Sequence, residues 1–218
     1  MNSNEKYVHD IINTQIKMGF KSVEELLEYV TELIQDEQLE KDVDESWAKE
    51  LIEQEYAKRM NAATNDWGYP TDPFLLADAF NELRGLGIIA IHNAGYTTSD
   101  GEADVVEIEN ALREHGIRSE GYCFYHEQDL ERALDENNPM LPLSFQKVDN
   151  SDPAITEKIG QLIIEVLRKN KLNATWSGNV NEKILISPIL WNKVYEKDFG
   201  PNFNFGESYY IIKEKYSS

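Results

Sequence analysis

Two short stretches of this chain gather the side chains that could do chemistry. Gly95-Tyr96-Thr97-Thr98-Ser99-Asp100-Gly101 carries four hydroxyls and a carboxylate, and Tyr125-His126-Glu127-Gln128-Asp129 places an imidazole three residues ahead of a carboxylate. An imidazole with carboxylates can hold a divalent ion, so Asp100, His126 and Asp129 form one candidate set. The same residues allow nucleophilic chemistry, with His126 as general base, Asp129 orienting it and Ser99 attacking. Neither arrangement has a diagnostic spacing. H-E-x-x-H, G-x-S-x-G and a glycine-rich phosphate loop are all missing from the sequence. The hydroxyl-rich loop contains no lysine, which argues against nucleotide binding.

Each residue also has a plainer reading. Asp100 and Asp152 precede helical patterns and suit N-caps, because a carboxylate accepts from unpaired first-turn N–H groups. Gly95 and Gly101 suit turn geometry. His126 ends an apolar strand and fits a hydrogen-bonded structural role. Tyr96, Tyr122 and Tyr125 fit packing with a satisfied hydroxyl. Cys123, mid-strand and the chain's one cysteine, reads as a buried inert thiol and permits neither an intrachain disulfide nor a cysteine-built zinc site.

The elements that would position these loops are legible from periodicity. Val8, Ile11, Ile12 and Ile16 fall at helical spacing up to Gly19. Ser22 and Glu25 read as a capping box before the stripe Leu26, Leu27, Val30, Leu33, Ile34. A third helix starts near Asp44 to Ser46. Trp67-Gly68-Tyr69-Pro70 marks a boundary, and Thr71-Asp72-Pro73 opens the next helix. Ile88-Ile89-Ala90-Ile91 reads as a strand buried on both faces, and Gly121 to Tyr125 as a second. Leu141, Leu143 and Phe145 alternate with polar neighbours, and Pro142 there favours an edge strand. Asp152-Pro153 starts another helix, and segments near 173–177 and 183–187 suggest a hairpin around Gly178-Asn179.

The expected fold class is α/β, with α+β as the alternative: a mixed sheet of about five strands with parallel βαβ units and a C-terminal hairpin. It divides into a helical segment at 1–66, an α/β domain at 67–192 and an aromatic extension at 193–218 packing on the body. If the strands at 88–91, 121–125 and 141–146 are parallel, the loops after them share one sheet edge, where open α/β sheets bind ligands. That edge would hold Tyr96, Thr97, Thr98, Ser99, Asp100, Tyr125, His126, Gln128 and Asp129, joined by Asp149 and Asp152. The final 28 residues hold eight of the 23 aromatics, Trp191, Tyr195, Phe199, Phe203, Phe205, Tyr209, Tyr210 and Tyr216. There 198–202 reads as a loop and Tyr210-Ile211-Ile212 as a short strand.

Charge narrows the function classes. The 218 residues carry 40 acids against 21 bases, a net charge of −19. Residues 1–70 contain 16 acids and 7 bases, 71–150 contain 16 and 5, and 151–218 contain 8 and 9. Such a front repels phosphates, so direct nucleic-acid binding is not expected. An acidic face instead attracts basic proteins. No apolar run is long enough to span a membrane, and the start lacks a signal-peptide pattern, so the expected location is cytoplasmic.

The loop at 95–101 and the strand exit Gly121-Tyr122-Cys123-Phe124-Tyr125-His126-Glu127-Gln128-Asp129 resemble the two signature segments of an uncharacterised bacterial domain-of-unknown-function family. Pro70-Thr71-Asp72, Trp176-Ser177-Gly178 and Ile184 to Trp191 are also similar to that family's layout. The resemblance covers roughly residues 65–192 after a helical lead-in. It implies an α/β domain and no activity, cofactor or catalytic residue.

The functional expectation is an acidic binding protein, such as an immunity-type inhibitor of a basic toxin or nucleic-acid-binding enzyme. A nucleic-acid mimic is a related form. The enzyme alternative is a metal-assisted hydrolase using Asp100, His126 and Asp129. No cofactor is expected, the partner is expected to be a basic protein, and the oligomeric state is left open.

Overall fold

The computed structural model describes residues 1–195, 203 and 205–217. Phe199 and the loop expected at 198–202 lie outside the described residues. The chain forms two compact units.

The first unit comprises Met1–Thr71 and the segment beginning at Trp191. Its helices are α1 (Ser3–Met18), α2 (Val23–Asp36) and α3 (Glu45–Asn65). Their starts follow from side-chain caps. Asn2 and Ser22 each accept from the backbone N–H three residues on, while Glu5 and Glu25 reach back to the cap N–H. The Asp44 carboxylate accepts from the N–H groups of Ser46 and Trp47. Apolar stripes from the three helices meet in one core of Val8, Ile12, Ile16, Leu26, Val30, Ile34, Ala48 and Ile52. The 191–195 segment is tied on by donors reaching carbonyls at the end of α1 and by Arg59 of α3 reaching a carbonyl of the segment. Trp191 Nε1 donates to Met18 O at 3.0 Å, the buried Lys193 ammonium donates to Gly19 O, and Arg59 Nη2 donates to Trp191 O at 2.7 Å. Burial lowers the Arg59 pKa to about 10.

The second unit comprises Asp72–Leu190 and the C-terminal helix. It runs α4 (Asp72–Leu86), β1 (Ile88–Ile91), α5 (Thr98–Arg113), β2 (Gly121–Phe124), α6 (Glu127–Ala133), β3 (Leu141–Gln146), α7 (Pro153–Lys169), β4 (Ala174–Thr175), β5 (Ile184–Ile186) and α8 (Glu207–Ser217). The sheet order is β1-β2-β3-β5-β4. The fold is α/β with a mixed five-stranded sheet, in which β1 and β2 are parallel and joined by α5. β4 and β5 form the antiparallel hairpin near the C-terminal end of the sheet-forming chain.

Three expectations are corrected here. β3 runs antiparallel to β2, with Cys123 opposite Phe145, so one parallel βαβ unit exists rather than a series. A parallel return needs a crossover that runs back along the sheet. The connector here carries only α6, seven residues and about 10 Å of rise, and the chain re-enters the sheet at the end it left. Asp149 and Asp152 consequently lie at the opposite end from the other loops. There Asp149 accepts from Arg113 Nη2 at 2.7 Å, and Asp152 caps α7 by accepting from Ala154 N–H at 2.9 Å.

Pro142 is not on an edge strand, because β3 lies between β2 and β5. Its two neighbours use staggered halves of it: β2 registers with Ser144–Gln146 and β5 with Leu141–Leu143. The missing proline N–H therefore falls where the registered pairing with β2 has ended.

Tyr210-Ile211-Ile212 is helical, within α8. Ser208 and Ile212, four apart, are buried on one face of that helix, which packs against α4, α5 and β1. The outer edge of β1 is occupied by side chains. Ser208 Oγ accepts from Ala90 N–H at 3.1 Å, and Arg84 donates through Nε and Nη2 to Ala90 O at 3.0 and 2.9 Å. This closes the exposed side of an edge strand without another strand.

Candidate functional site

The loops after β1 and β2 come together as parallel pairing requires. Ala94 N–H donates to Tyr125 O at 2.9 Å, and Glu127 N–H to Gly95 O at 3.0 Å, so the pairing continues beyond the strands. Gly95 has φ +57°, and a Cβ there would overlap the Asp100 Cβ, while a Cβ on Gly101 would overlap the Phe124 ring. Glycine at both positions lets the loop fold tightly over β2.

Within that frame the carboxylates separate. Asp100 Oδ2 accepts from Thr97 N–H and Thr97 Oγ1, both at 2.8 Å, and closes the capping box of α5. These hydrogen bonds, led by the Thr97 hydroxyl, hold its carboxyl below the usual range. Asp129 is 2% exposed and His126 3% exposed. Lys183, from the hairpin, donates through Nζ to Asp129 Oδ2 at 2.7 Å, and Asp129 Oδ2 lies 3.0 Å from His126 Nε2. Thr98 Oγ1 also lies 3.0 Å from His126 Nε2.

The bonds determine the imidazole's state. His126 Nδ1 accepts from Asp129 N–H at 3.2 Å and caps α6. In the neutral ring the proton then sits on Nε2, where the Thr98 hydroxyl oxygen at 3.0 Å is its hydrogen-bond partner and the Asp129 carboxylate is its nearest opposite charge. Burial lowers the His126 pKa; Lys183 lowers it further, while Asp129 works in the opposite direction.

This arrangement differs from both catalytic expectations. A hydroxyl–imidazole–carboxylate relay places the carboxylate on one ring nitrogen and the hydroxyl on the other. Here Thr98 and Asp129 both meet Nε2, and Nδ1 is taken by a backbone N–H. The hydroxyl at His126 belongs to Thr98, whereas Ser99 is exposed. Asp100 faces Thr97, and among the described residues no group of three His, Cys, Asp or Glu side chains could hold a metal ion.

The remaining candidates disperse. Tyr125 is fully buried, its hydroxyl 3.2 Å from His92 Nδ1, and burial raises its pKa well above the usual value. Tyr96 is 51% exposed, and its carbonyl accepts from Gln128 N–H at 3.3 Å. Cys123 is fully buried and its thiol is pushed up to about 12, which leaves no thiolate at neutral pH.

Lys183 is the residue that sequence reasoning missed. It sits 54 positions from Asp129, and a lone base beside a strand gives no periodic signal. The hairpin loop that presents it is internally braced. Trp176 Nε1 donates to Asn179 O at 3.0 Å, and Glu182 accepts from Ser177 Oγ at 2.7 Å and Asn179 Nδ2 at 2.9 Å. Beside it lies a cleft of about 270 Å³ whose lining includes Glu102, Tyr122, Ser144, Gln146, Glu182 and Lys183.

The His126 geometry makes a pH prediction. Its folded pKa lies below the unfolded value of 6.5, so the associated stability is present above that value. It is lost as pH falls from 6.5 through the folded pKa. Urea unfolding at pH 7.5 and 5.5 should show a loss on acidification that shrinks in His126→Asn, since asparagine can still cap α6. An unchanged pH dependence in the variant would contradict the lowered His126 pKa.

An α/β sheet carrying a buried His126–Asp129 pair capped by the half-buried Lys183, beside a small polar cleft, defines the architectural class, but no reaction. Residues 1–195 match the family described as Domain of unknown function (DUF6891). The chain belongs to that family, and the match takes in the helical unit as well as the signature loops. No curated protein and no solved structure matches the chain. Among the described residues no helix is long and apolar enough to cross a membrane.

Proposed function

We propose that this protein acts by binding a basic protein partner through carboxylates of its helical unit. The observation that carries this reading is the outer face of α2. Glu24, Glu28, Glu32 and Asp36 recur every four residues and are all exposed, a ladder with a step of about 6 Å. The helix contains no Lys or Arg. Among the described residues none of the four forms a salt bridge; the ion pairs lie elsewhere, as at Lys6–Asp10 and Lys58–Glu55. A row of like charges costs helix stability, so its presence without neutralising bases supports an external counter-charge.

The specific form is a cytoplasmic immunity-type inhibitor that masks a basic toxin or nucleic-acid-binding enzyme. The regular spacing also suits a nucleic-acid mimic, whose carboxylates would occupy a phosphate-binding track on the same kind of target. Affinity capture from host lysate at low and moderate salt, read by mass spectrometry, tests the proposal. One stoichiometric basic protein released as salt rises is expected, because exposed charge attraction is screened over about 8–10 Å. A partner held equally at both salts, or none at either, would contradict it.

A further inference from the structure

The cleft in the second unit has a chemistry of its own, independent of α2. Its floor is the sheet face that carries Tyr122, Ser144 and Gln146, with Tyr122 directly opposite Gln146 in the register. Glu102 of α5 and Glu182 of the hairpin loop contribute carboxylates to the lining. Lys183 is the lining's cation, and its ammonium is already bound to the buried Asp129 at 2.7 Å. The local balance is therefore negative. The Ser144 hydroxyl oxygen is buried and, among the described residues, has no hydrogen-bond partner, a situation that protein interiors rarely leave unanswered. Gln146 Oε1 is already an acceptor for the Lys147 N–H at 3.1 Å and for the Thr156 hydroxyl.

We propose that this cleft binds an organic cation, a guanidinium or alkylammonium group, with Glu102 as counter-ion, the Tyr122 ring as a cation–π face and Ser144 Oγ as acceptor. A guanidinium carries five donors and no acceptor, which matches a lining rich in carboxylate and hydroxyl oxygens. Tyrosine rings attract such cations through their negative face. Burial, reinforced by Glu102, pushes the Tyr122 hydroxyl up to about 12, so it stays protonated and neutral at physiological pH. A volume of about 270 Å³ falls just below the range of roughly 300–1,000 Å³ that holds drug-sized ligands. It therefore selects one side chain or a small molecule.

The test is an NMR titration of the full chain with n-butylguanidinium, following the Tyr122 ring and Ser144 amide signals, with butyrate as the anionic counterpart. Saturable shifts with the cation, silence with butyrate and about tenfold weaker binding in Glu102→Gln are expected. Glu102 is exposed on α5, so the variant should fold, and unchanged signals away from the cleft check this. A glycine-serine peptide carrying one arginine separates the sources. Tighter binding than the free cation identifies a protein side chain as the ligand, and equal or weaker binding identifies a small guanidine or amine. Absence of saturable shifts, an equal response to butyrate, or an affinity unaltered in Glu102→Gln would overturn the proposal. None of these outcomes depends on α2, so this site and the basic-partner reading can fail separately.

Discussion

Replacing Lys183 with methionine should destabilise the α/β unit by about 1–3 kcal/mol, the cost of leaving a buried carboxylate short of a partner. Lys183 itself is 32% exposed, which keeps the figure below that for a fully buried pair. The variant leaves the Asp129 carboxylate, 2% exposed, without its nearest cation. His126 Nε2 at 3.0 Å and Arg132 at 4.0 Å remain as partial compensation. Asp129→Asn in the same background should recover a substantial part of the loss, because no buried charge is then left unpaired. The cycle of two single variants and the double variant, measured by urea unfolding, separates the pair's coupling from the cost of losing either side chain. A Lys183→Met protein as stable as the parent would show that the hairpin does not depend on this contact.

Arg84→Ala should cost about 3–5 kcal/mol, combining a core cavity with lost charge-assisted hydrogen bonds. Arg84 is fully buried, and its guanidinium makes two bonds to Ala90 O and one to Asn81 Oδ1 at 2.7 Å. Desolvation lowers its pKa to about 10, and nearby Glu207 offsets part of the shift, so the group is charged at neutral pH. Arg84→Lys should recover little, since a point ammonium cannot reproduce the planar fork. Exposing the outer edge of β1 should also promote association of copies, which light scattering during urea unfolding would detect. A fully stable, monomeric Arg84→Ala protein would contradict this account of the edge.

Much of this molecule was readable from local chemistry. The Ser22–Glu25 box, the helix start near Asp44 to Ser46 and the Asp152-Pro153 start each involve residues within one helical turn, and each is found in the structure. The apolar run Ile88–Ile91 is buried along its whole length, and Leu141, Leu143 and Phe145 alternate inward as the pattern requires. The meeting of the two signature loops follows from the single parallel pair.

What escaped the sequence depends on distant partners. The polarity of β3 escapes because the connector between residues 125 and 140 is long enough for either direction. Arg84 and Ser208 meet across 124 residues, and nothing in either neighbourhood marks them as caps of a strand edge. Tyr210-Ile211-Ile212 has the β-branched and aromatic composition of a strand, yet burial of Ser208 and Ile212 on one side makes it a helix. At the candidate site, residue types were legible but their pairing was not: Asp100 serves Thr97, Thr98 replaces Ser99 beside His126, and Lys183 completes the cluster.

The most direct measurement of the basic-partner proposal compares the parent chain with Glu24→Lys/Glu28→Lys/Glu32→Lys in association with the captured protein. All three positions are exposed, so the helical unit should keep its fold, which circular dichroism would verify. At low salt the variant should associate at least about tenfold more slowly, and its rate should lose most of its dependence on ionic strength. Equal association rates and equal salt dependence in the two proteins would contradict the proposal that the α2 carboxylates form the binding face.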